Sequence, residues 1–314
     1  MIMVDGFGVP PDGWNNSIYS KYCSKEFIHL LETSTLPIDA CLGVEGIPQS
    51  ATGQTALFTG YNGSEIMGEH TPGFPGPLLR EAIKEKNIFT SLEAINCNVT
   101  FANAYVSDKN MAVSKLRFRS VTTVMSECIF GAFRRKGDLL EGRAVYHDIT
   151  HFTIQNGEVG IGRLKRKLSP PIPELISVSS ASKNLLSIAK DYDFTLFEYF
   201  LTDKAGHSCD ETFVKQVLGD FQEFVLNLTE GLDQETALLI TSDHGNIEDL
   251  TTKRHTTNPV PLLLYPNDLL DSAKHLESIM DVHDYIVDFF VSLKENTTTD
   301  ENEFSFDNPF DSLF

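Results

Sequence analysis

Apolar residues along this chain keep two rhythms. Short, nearly continuous apolar runs at residues 1–4, 194–201, 237–240 and 260–264 read as buried strands. Between them lie segments of helical period. Residues 78–92 carry Leu79, Ile83 and Ile88 on one face with Arg80, Glu81 and Lys84 polar, and residues 179–191 form a second amphipathic stretch. Residues 99–105 read as a further strand returning to the core. Strands alternating with helices predict an α/β fold built on a mostly parallel sheet flanked by helices.

The residues just past the strand ends are more informative than the strands. The first run ends at Asp5-Gly6-Phe7-Gly8, a carboxylate on a Gly-rich turn. The run at 194–201 leads into Thr202-Asp203-Lys204-Ala205-Gly206-His207, whose Asp and His stand four apart and turn the same way on one turn of helix. The run at 237–240 leads to Asp243-His244-Gly245-Asn246, and His255 precedes the run at 260–264. Open α/β sheets bind ligands at the carboxyl ends of their strands, and Asp with His is a common metal-ligand set. Each residue taken singly fits a cap or a salt bridge better than a metal site. Taken together they predict a metal cluster.

Residues 46–60 read as a turn into a short helix that stops at Gly60, offering Ser50 and Thr55 as candidate hydroxyl nucleophiles. A helix N-terminus presents free N–H groups and a positive dipole end, which suits a phosphate; the plainer role for Ser50 is a helix cap.

At this point the chain resembles the alkaline phosphatase superfamily, most closely its cofactor-independent phosphoglycerate mutase and phosphopentomutase branch. The blocks Ile240-Thr241-Ser242-Asp243-His244-Gly245-Asn246 and His255-Thr256-Thr257-Asn258-Pro259-Val260-Pro261 look like that mutase's metal-binding segments. The resemblance covers about residues 1–105 and 185–290. It implies an alkaline-phosphatase-like sheet and two divalent ions, zinc or manganese. Asp203, His207 and His255 would hold one ion; Asp5, Asp243, His244 and the nucleophile oxygen would hold the other. The expected activity is phosphoryl transfer on a small phosphorylated metabolite through a phosphoseryl intermediate, by a phosphatase or a mutase. Counting back ten from Gly60, as related sulfatases and phosphodiesterases do, selects Ser50; the mutase's Gly-Asn-Ser register selects Thr55 instead.

The middle of the chain departs from that pattern. The mutase's Asp-Gly-x-Val-His-Ser segment is missing, and a basic stretch takes its place. Residues 109–167 hold twelve Lys/Arg against five Asp/Glu, a net of +7, leaving −26 for the remainder of a chain at −19. This predicts an inserted basic cap lobe over 106–170 that attracts anionic substrates, dividing a metalloenzyme core at 1–105 and 171–294. Arg117, Arg119 and Arg143 are the expected phosphate contacts, since guanidinium pairs bidentately with phosphate. His147, in the polar run 142–151, and His70, on the Pro/Gly loop beyond the nucleophile helix, are further substrate-contact candidates.

Composition narrows the alternatives. No nucleic-acid-binding motif accompanies the pI of about 4.8, and no apolar run is long enough to span a membrane. Five cysteines without Cys-x-x-Cys spacing predict reduced thiols and a cytoplasmic protein. Residues 295–314 carry six acidic and no basic side chains and read as a disordered tail. Two other classes compete: a phosphodiesterase or sulfatase-like hydrolase on the same scaffold, and a catalytically silent metal-binding interaction protein. The stretch Ser50-Ala51-Thr52-Gly53-Gln54 lacks the Pro and Arg that sulfatases need, and every ligand position is filled, so phosphoryl transfer leads.

Overall fold

The computed structural model describes residues 1–106, 118–157 and 168–303. Its strands are β1 (Ile2–Val4), β2 (Thr35–Ile38), β3 (Val99–Phe101), β4 (Ala104–Tyr105), β5 (Arg134–Arg135), β6 (Phe194–Tyr199), β7 (Leu238–Thr241) and β8 (Val260–Tyr265). Six of them form the central sheet, ordered β2-β8-β7-β1-β6-β3; β4 and β5 pair separately. The pairings β7-β1, β1-β6 and β6-β3 are parallel, whereas β8 is antiparallel to both of its neighbours. One strand therefore runs backwards in an otherwise parallel sheet, as the alternation of strands and helices predicts in the main.

Side-chain alternation along the strands assigns the two faces. Ile2 and Val4 of β1, with Phe197 and Tyr199 of β6, enter one apolar cluster with the helix Glu211–Gly231. Met3, Leu196 and Phe194 enter the other, with the helix Ser50–Thr59. Burial on both faces explains why these strands read as continuous apolar runs. Two of the helices begin with a side-chain cap where the sequence places a short polar residue: Asp210 accepts from Phe213 N at the start of Glu211–Gly231, and Ser177 accepts from Ser180 N at the start of Val178–Ala189.

Three local expectations change. The helix expected over 78–92 is two helices, Pro77–Glu85 and Ile88–Ala94. Lys86 adopts extended backbone, and Asn87 caps the second helix through Phe89 N and Thr90 N, so a local side-chain bond wins over helical continuity. The strand expected over 99–105 is likewise interrupted after Phe101 and resumes as β4. The C-terminal helix runs from Asp281 to Glu303, nine residues into the segment expected as tail; 304–314 lie outside the described residues.

Within the expected cap, Val121, Val124 and Met125 of the helix Val121–Ser126 join the same cluster as Met3 and Leu57. Val145 and Ile149 join the opposite cluster. Ala104, Val106, Leu139, Ala144, Tyr146 and Ile154 form a small core of their own. No helix among the described residues is long and apolar enough to cross a membrane.

Candidate metal centre

Strands β7, β1 and β6 are neighbours, so their carboxyl ends deliver three carboxylates to one place. Asp5 comes directly after β1. Asp203 sits in the first turn of the helix Leu201–Ser208 that succeeds β6, with His207 in its last turn. Asp243 and His244 lie just past β7 and are fully buried. Because β8 runs backwards, its start lies beside the end of β7, and the segment leading into it brings His255 to the same edge.

The side chains separate into two triads. Ligand-type atoms of Asp203, His207 and His255 lie within 4.8 Å of one another, and so do those of Asp5, Asp243 and His244. In the first triad, His207 Nε2 is 3.3 Å from Asp203 Oδ2, His255 Nε2 is 3.2 Å from Asp203 Oδ1, and the two Nε2 atoms are 3.1 Å apart. In the second, His244 Nε2 stands 3.2 Å from Asp5 Oδ1 and 3.7 Å from Asp243 Oδ2. The triads adjoin through the rings of His244 and His255, stacked with centroids 3.7 Å apart.

The donor chemistry fits a cation in each triad. Nδ1 of His255 donates to the Pro48 carbonyl at 2.8 Å, and Nδ1 of His207 donates to the Lys253 carbonyl at 2.7 Å. That fixes the proton on Nδ1 and turns the Nε2 lone pairs inward, the arrangement that metal-ligating histidines commonly adopt. Two inward lone pairs at 3.1 Å and a carboxylate share a space that a divalent ion would satisfy. Asp5 Oδ1 is buried without a hydrogen-bond partner, the second sign of an acceptor-rich cavity. Burial, then Asp243 and Asp203, push the Asp5 carboxyl well above its usual range. Burial acts the same way on Asp203, but the imidazoles of His207 and His255, where protonated, outweigh it and hold that carboxyl well below.

Ser50 is the first residue of its helix, and its Oγ lies 3.0 Å from His244 Nε2. Thr55 is fully buried one turn further on, and its Oγ1 donates to the Ala51 carbonyl at 2.6 Å. The structure brings Ser50 to the cluster and leaves Thr55 inside the helix.

Four further residues hold the cluster and are not singled out by the sequence reading. Asn246 Nδ2 donates to Asp203 Oδ1 at 2.6 Å, and Gln54 Nε2 donates to Asp243 Oδ2 at 3.0 Å, so one carboxylate oxygen in each triad is oriented by an amide. Glu248 ties the loop after β1 to its own connection between β7 and β8: it accepts from Gly8 N at 3.0 Å, Asn246 N at 2.8 Å and Asn258 Nδ2 at 3.1 Å, and also from Thr256 Oγ1. Gly53 lets the nucleophile helix approach, since a Cβ there would stand 2.6 Å from the Asp243 carbonyl oxygen. The signal available was position: Asn246 and Glu248 lie within five residues of Asp243.

The expected substrate residues are placed elsewhere. Arg119 is bound to both oxygens of Glu127, at 2.9 and 2.7 Å, and both side chains are largely buried. Arg143 pairs with Asp138 and Glu141. His70 is committed at both nitrogens, to Ser64 Oγ and the Val44 carbonyl. His147 is held between Tyr146 and Phe200. None of these four lines the cleft of about 630 Å³ over the triads, whose walls are Ile47, Gln49, Ser50, Pro72, Gly73, Asp203, His207, Lys253, Arg254 and His255. The carboxylates within reach in sequence capture the arginines first. Arg117 lies outside the described residues.

Comparison with known proteins agrees with this geometry. Residues 173–292 match the family described as Metalloenzyme superfamily. Curated relatives include 2,3-bisphosphoglycerate-independent phosphoglycerate mutases of Ignicoccus hospitalis, 33% identical over 29% of this chain and 21% of the relative, and of Acetivibrio thermocellus, 30% identical over 38% and 24%. The alignments thus span about a fifth to a quarter of those relatives' length. Among solved structures, the PH0037 protein of Pyrococcus horikoshii aligns with TM-score 0.51 at 14% identity, covering 90% of this chain and 96% of that one. The alkaline phosphatase of the Antarctic bacterium TAB5 aligns with TM-score 0.51 at 12% identity, covering 91% and 95%. Residues 173–292 thus match the metalloenzyme superfamily, and the chain as a whole has an alkaline-phosphatase-like fold.

Proposed function

We propose that the chain is a two-metal phosphoryl-transfer enzyme acting on a small phosphorylated metabolite, with Ser50 as the acceptor of the phosphoryl group. The observation that carries this reading is the 3.0 Å approach of Ser50 Oγ to His244 at the junction of two Asp/His triads. Asp203, His207 and His255 would hold one divalent ion, zinc or manganese, and Asp5, Asp243 and His244 the other. Bound there, the ions would neutralise phosphate charge and lower the pKa of a hydroxyl.

The protein's own contribution is placement. Ser50 Oγ is presented from a helix N-terminus, where free N–H groups and the dipole favour an anionic phosphoryl group. As the Ser50 Oγ–P bond forms, the bond from phosphorus to the leaving oxygen breaks. The Ser50 proton passes to solvent, and the leaving oxygen takes one up. The phosphoryl group then moves to water, as in a phosphatase, or to a second substrate hydroxyl, as in a mutase. Phosphoryl transfer asks mainly for positioning and charge stabilisation, which the rigid strand ends supply. Asn246 and Gln54 keep Asp203 and Asp243 in one orientation through the cycle.

The test is to load the protein with zinc or manganese, count bound ions by mass spectrometry, and incubate it with a panel of phosphomonoesters and phosphosugars. Two ions and a phosphopeptide containing Ser50 are expected. A protein that binds no divalent ion, or turns over with Ser50→Ala in place, would overturn the reading.

A further inference from the structure

Lys253 and Arg254 stand on the wall of the cleft, on the loop between β7 and β8. They are exposed, and among the described residues no carboxylate pairs with either side chain. Arg119 and Arg143, by contrast, are both taken by neighbouring acids. Their backbone is also registered to the ligand set. The Lys253 carbonyl accepts from His207 Nδ1 at 2.7 Å, Arg254 N donates to Thr252 Oγ1 at 3.1 Å, and the next residue is His255 itself. That places two cationic residues on the rim beside Asp203, His207 and His255, in the same cleft as Ile47 and Gln49 of the nucleophile turn.

We infer that Lys253 and Arg254 form the specificity site for a second anionic group, a phosphate or carboxylate carried by the substrate away from the phosphoryl group that meets Ser50. This rests on the phosphoryl-transfer reading of the same cleft and names the substrate class it takes. The transferred phosphate is accounted for by Ser50, the helix N-terminus and the ions the triads would hold. A pair of cations at the rim adds nothing to that group's chemistry, but it offers a guanidinium fork and an ammonium to a remote anion. Binding energy from such a remote group is expressed partly in turnover.

The experiment uses the metal-loaded full chain carrying Ser50→Ala, so that ligands bind without turnover, with and without Lys253→Gln and Arg254→Gln together. Both changes are at exposed positions and remove charge at similar side-chain size. Dissociation constants are measured by calorimetry for two matched pairs: 3-phosphoglycerate against glycerol 3-phosphate, and fructose 1,6-bisphosphate against fructose 6-phosphate. The expected result is that the doubly anionic member of at least one pair binds about tenfold or more tightly, and that the double substitution erases the preference while leaving the singly anionic partner within about twofold. A preference that survives the substitution, the absence of any preference, or an equal loss on both members would overturn the assignment. Failure of every phosphate ester to bind would instead overturn the phosphoryl-transfer reading itself, and this inference with it.

Discussion

His207 and His255 point their Nε2 atoms at each other across 3.1 Å, while each donates from Nδ1 to a backbone carbonyl. With the protons fixed outward, two lone pairs and the Asp203 carboxylate meet in one small space, and only a cation relieves them. Zinc or manganese should therefore raise the melting temperature, since an ion that binds only the folded state adds about 2.7 kcal/mol at a hundred times its dissociation constant. His255→Ala should remove one of two bound ions by mass spectrometry and most of that gain. An unchanged metal count in His255→Ala would show that the triad does not bind as a unit.

Ser50 and Thr55 separate by environment. Ser50→Ala should abolish turnover and phosphoenzyme while metal content falls little. Thr55→Ala removes a buried hydroxyl that bonds only to its own helix, so it should cost about 1 kcal/mol of stability and keep activity. Mass spectrometry of the trapped intermediate decides between them, and a phosphate on Thr55 would reverse the assignment.

Gly53 tests how closely the nucleophile helix must approach. A methyl group there meets backbone at 2.6 Å, and the helix cannot yield without carrying Ser50 away from His244. Gly53→Ala should destabilise by about 1–3 kcal/mol and lower turnover by roughly tenfold or more, about 1.4 kcal/mol in the barrier, seen as a fall in kcat at constant metal content. Normal kcat would mean that the strand end moves instead.

Arg119 makes a stability prediction in place of the substrate role expected from the sequence. Removing it leaves Glu127 largely buried and unpaired, so Arg119→Ala should cost about 2 kcal/mol, less than a fully buried pair would. Kinetics on para-nitrophenyl phosphate and on doubly anionic esters should be unchanged. A selective loss on the latter would restore the substrate role.

Asp220 carries a pH prediction remote from the cleft. Burial, then Glu223 and Asp148, push its carboxyl up to about 6. The folded state thus holds this proton more tightly than the unfolded chain, so the contribution is full below the ordinary carboxylate range and is lost as pH rises through about 6. Asp220→Asn should raise the melting temperature by about 2 °C near neutral pH, a modest figure because partial exposure screens the effect. In acid, below the ordinary carboxylate range, the two proteins should melt together, and a gain under both conditions would point to some other cause.

The cluster was legible because Asp5, Asp203 and Asp243 each follow an apolar run within three residues, and strand ends are where local sequence dictates spatial position. The residues that orient them were less so. Gln54 and Glu248 reach the cluster through tertiary contacts from a helix and a loop, and neither leaves a periodicity to read. Arg119 and Arg143 lie away from the cleft for a different reason. Charge counted along residues 109–167 says how many arginines there are, not which neighbouring carboxylates take them, and Glu127, Asp138 and Glu141 were close enough to take two. The break at Asn87 shows the same limit at short range, where an apolar period continued across a cap that ends it.

The reversed strand β8 has a consequence in time. Asp5 is synthesised long before His255, and only the closing of β8 against β7 brings His255 to the edge where Asp5 waits. A growing polypeptide therefore holds an incomplete set of ligands until β8 has emerged. Metal affinity that depends on a folded site is itself folding free energy, so the triad of Asp203, His207 and His255 would gain its affinity only once β8 has closed against β7. Ion uptake by that triad would then be a late event in folding.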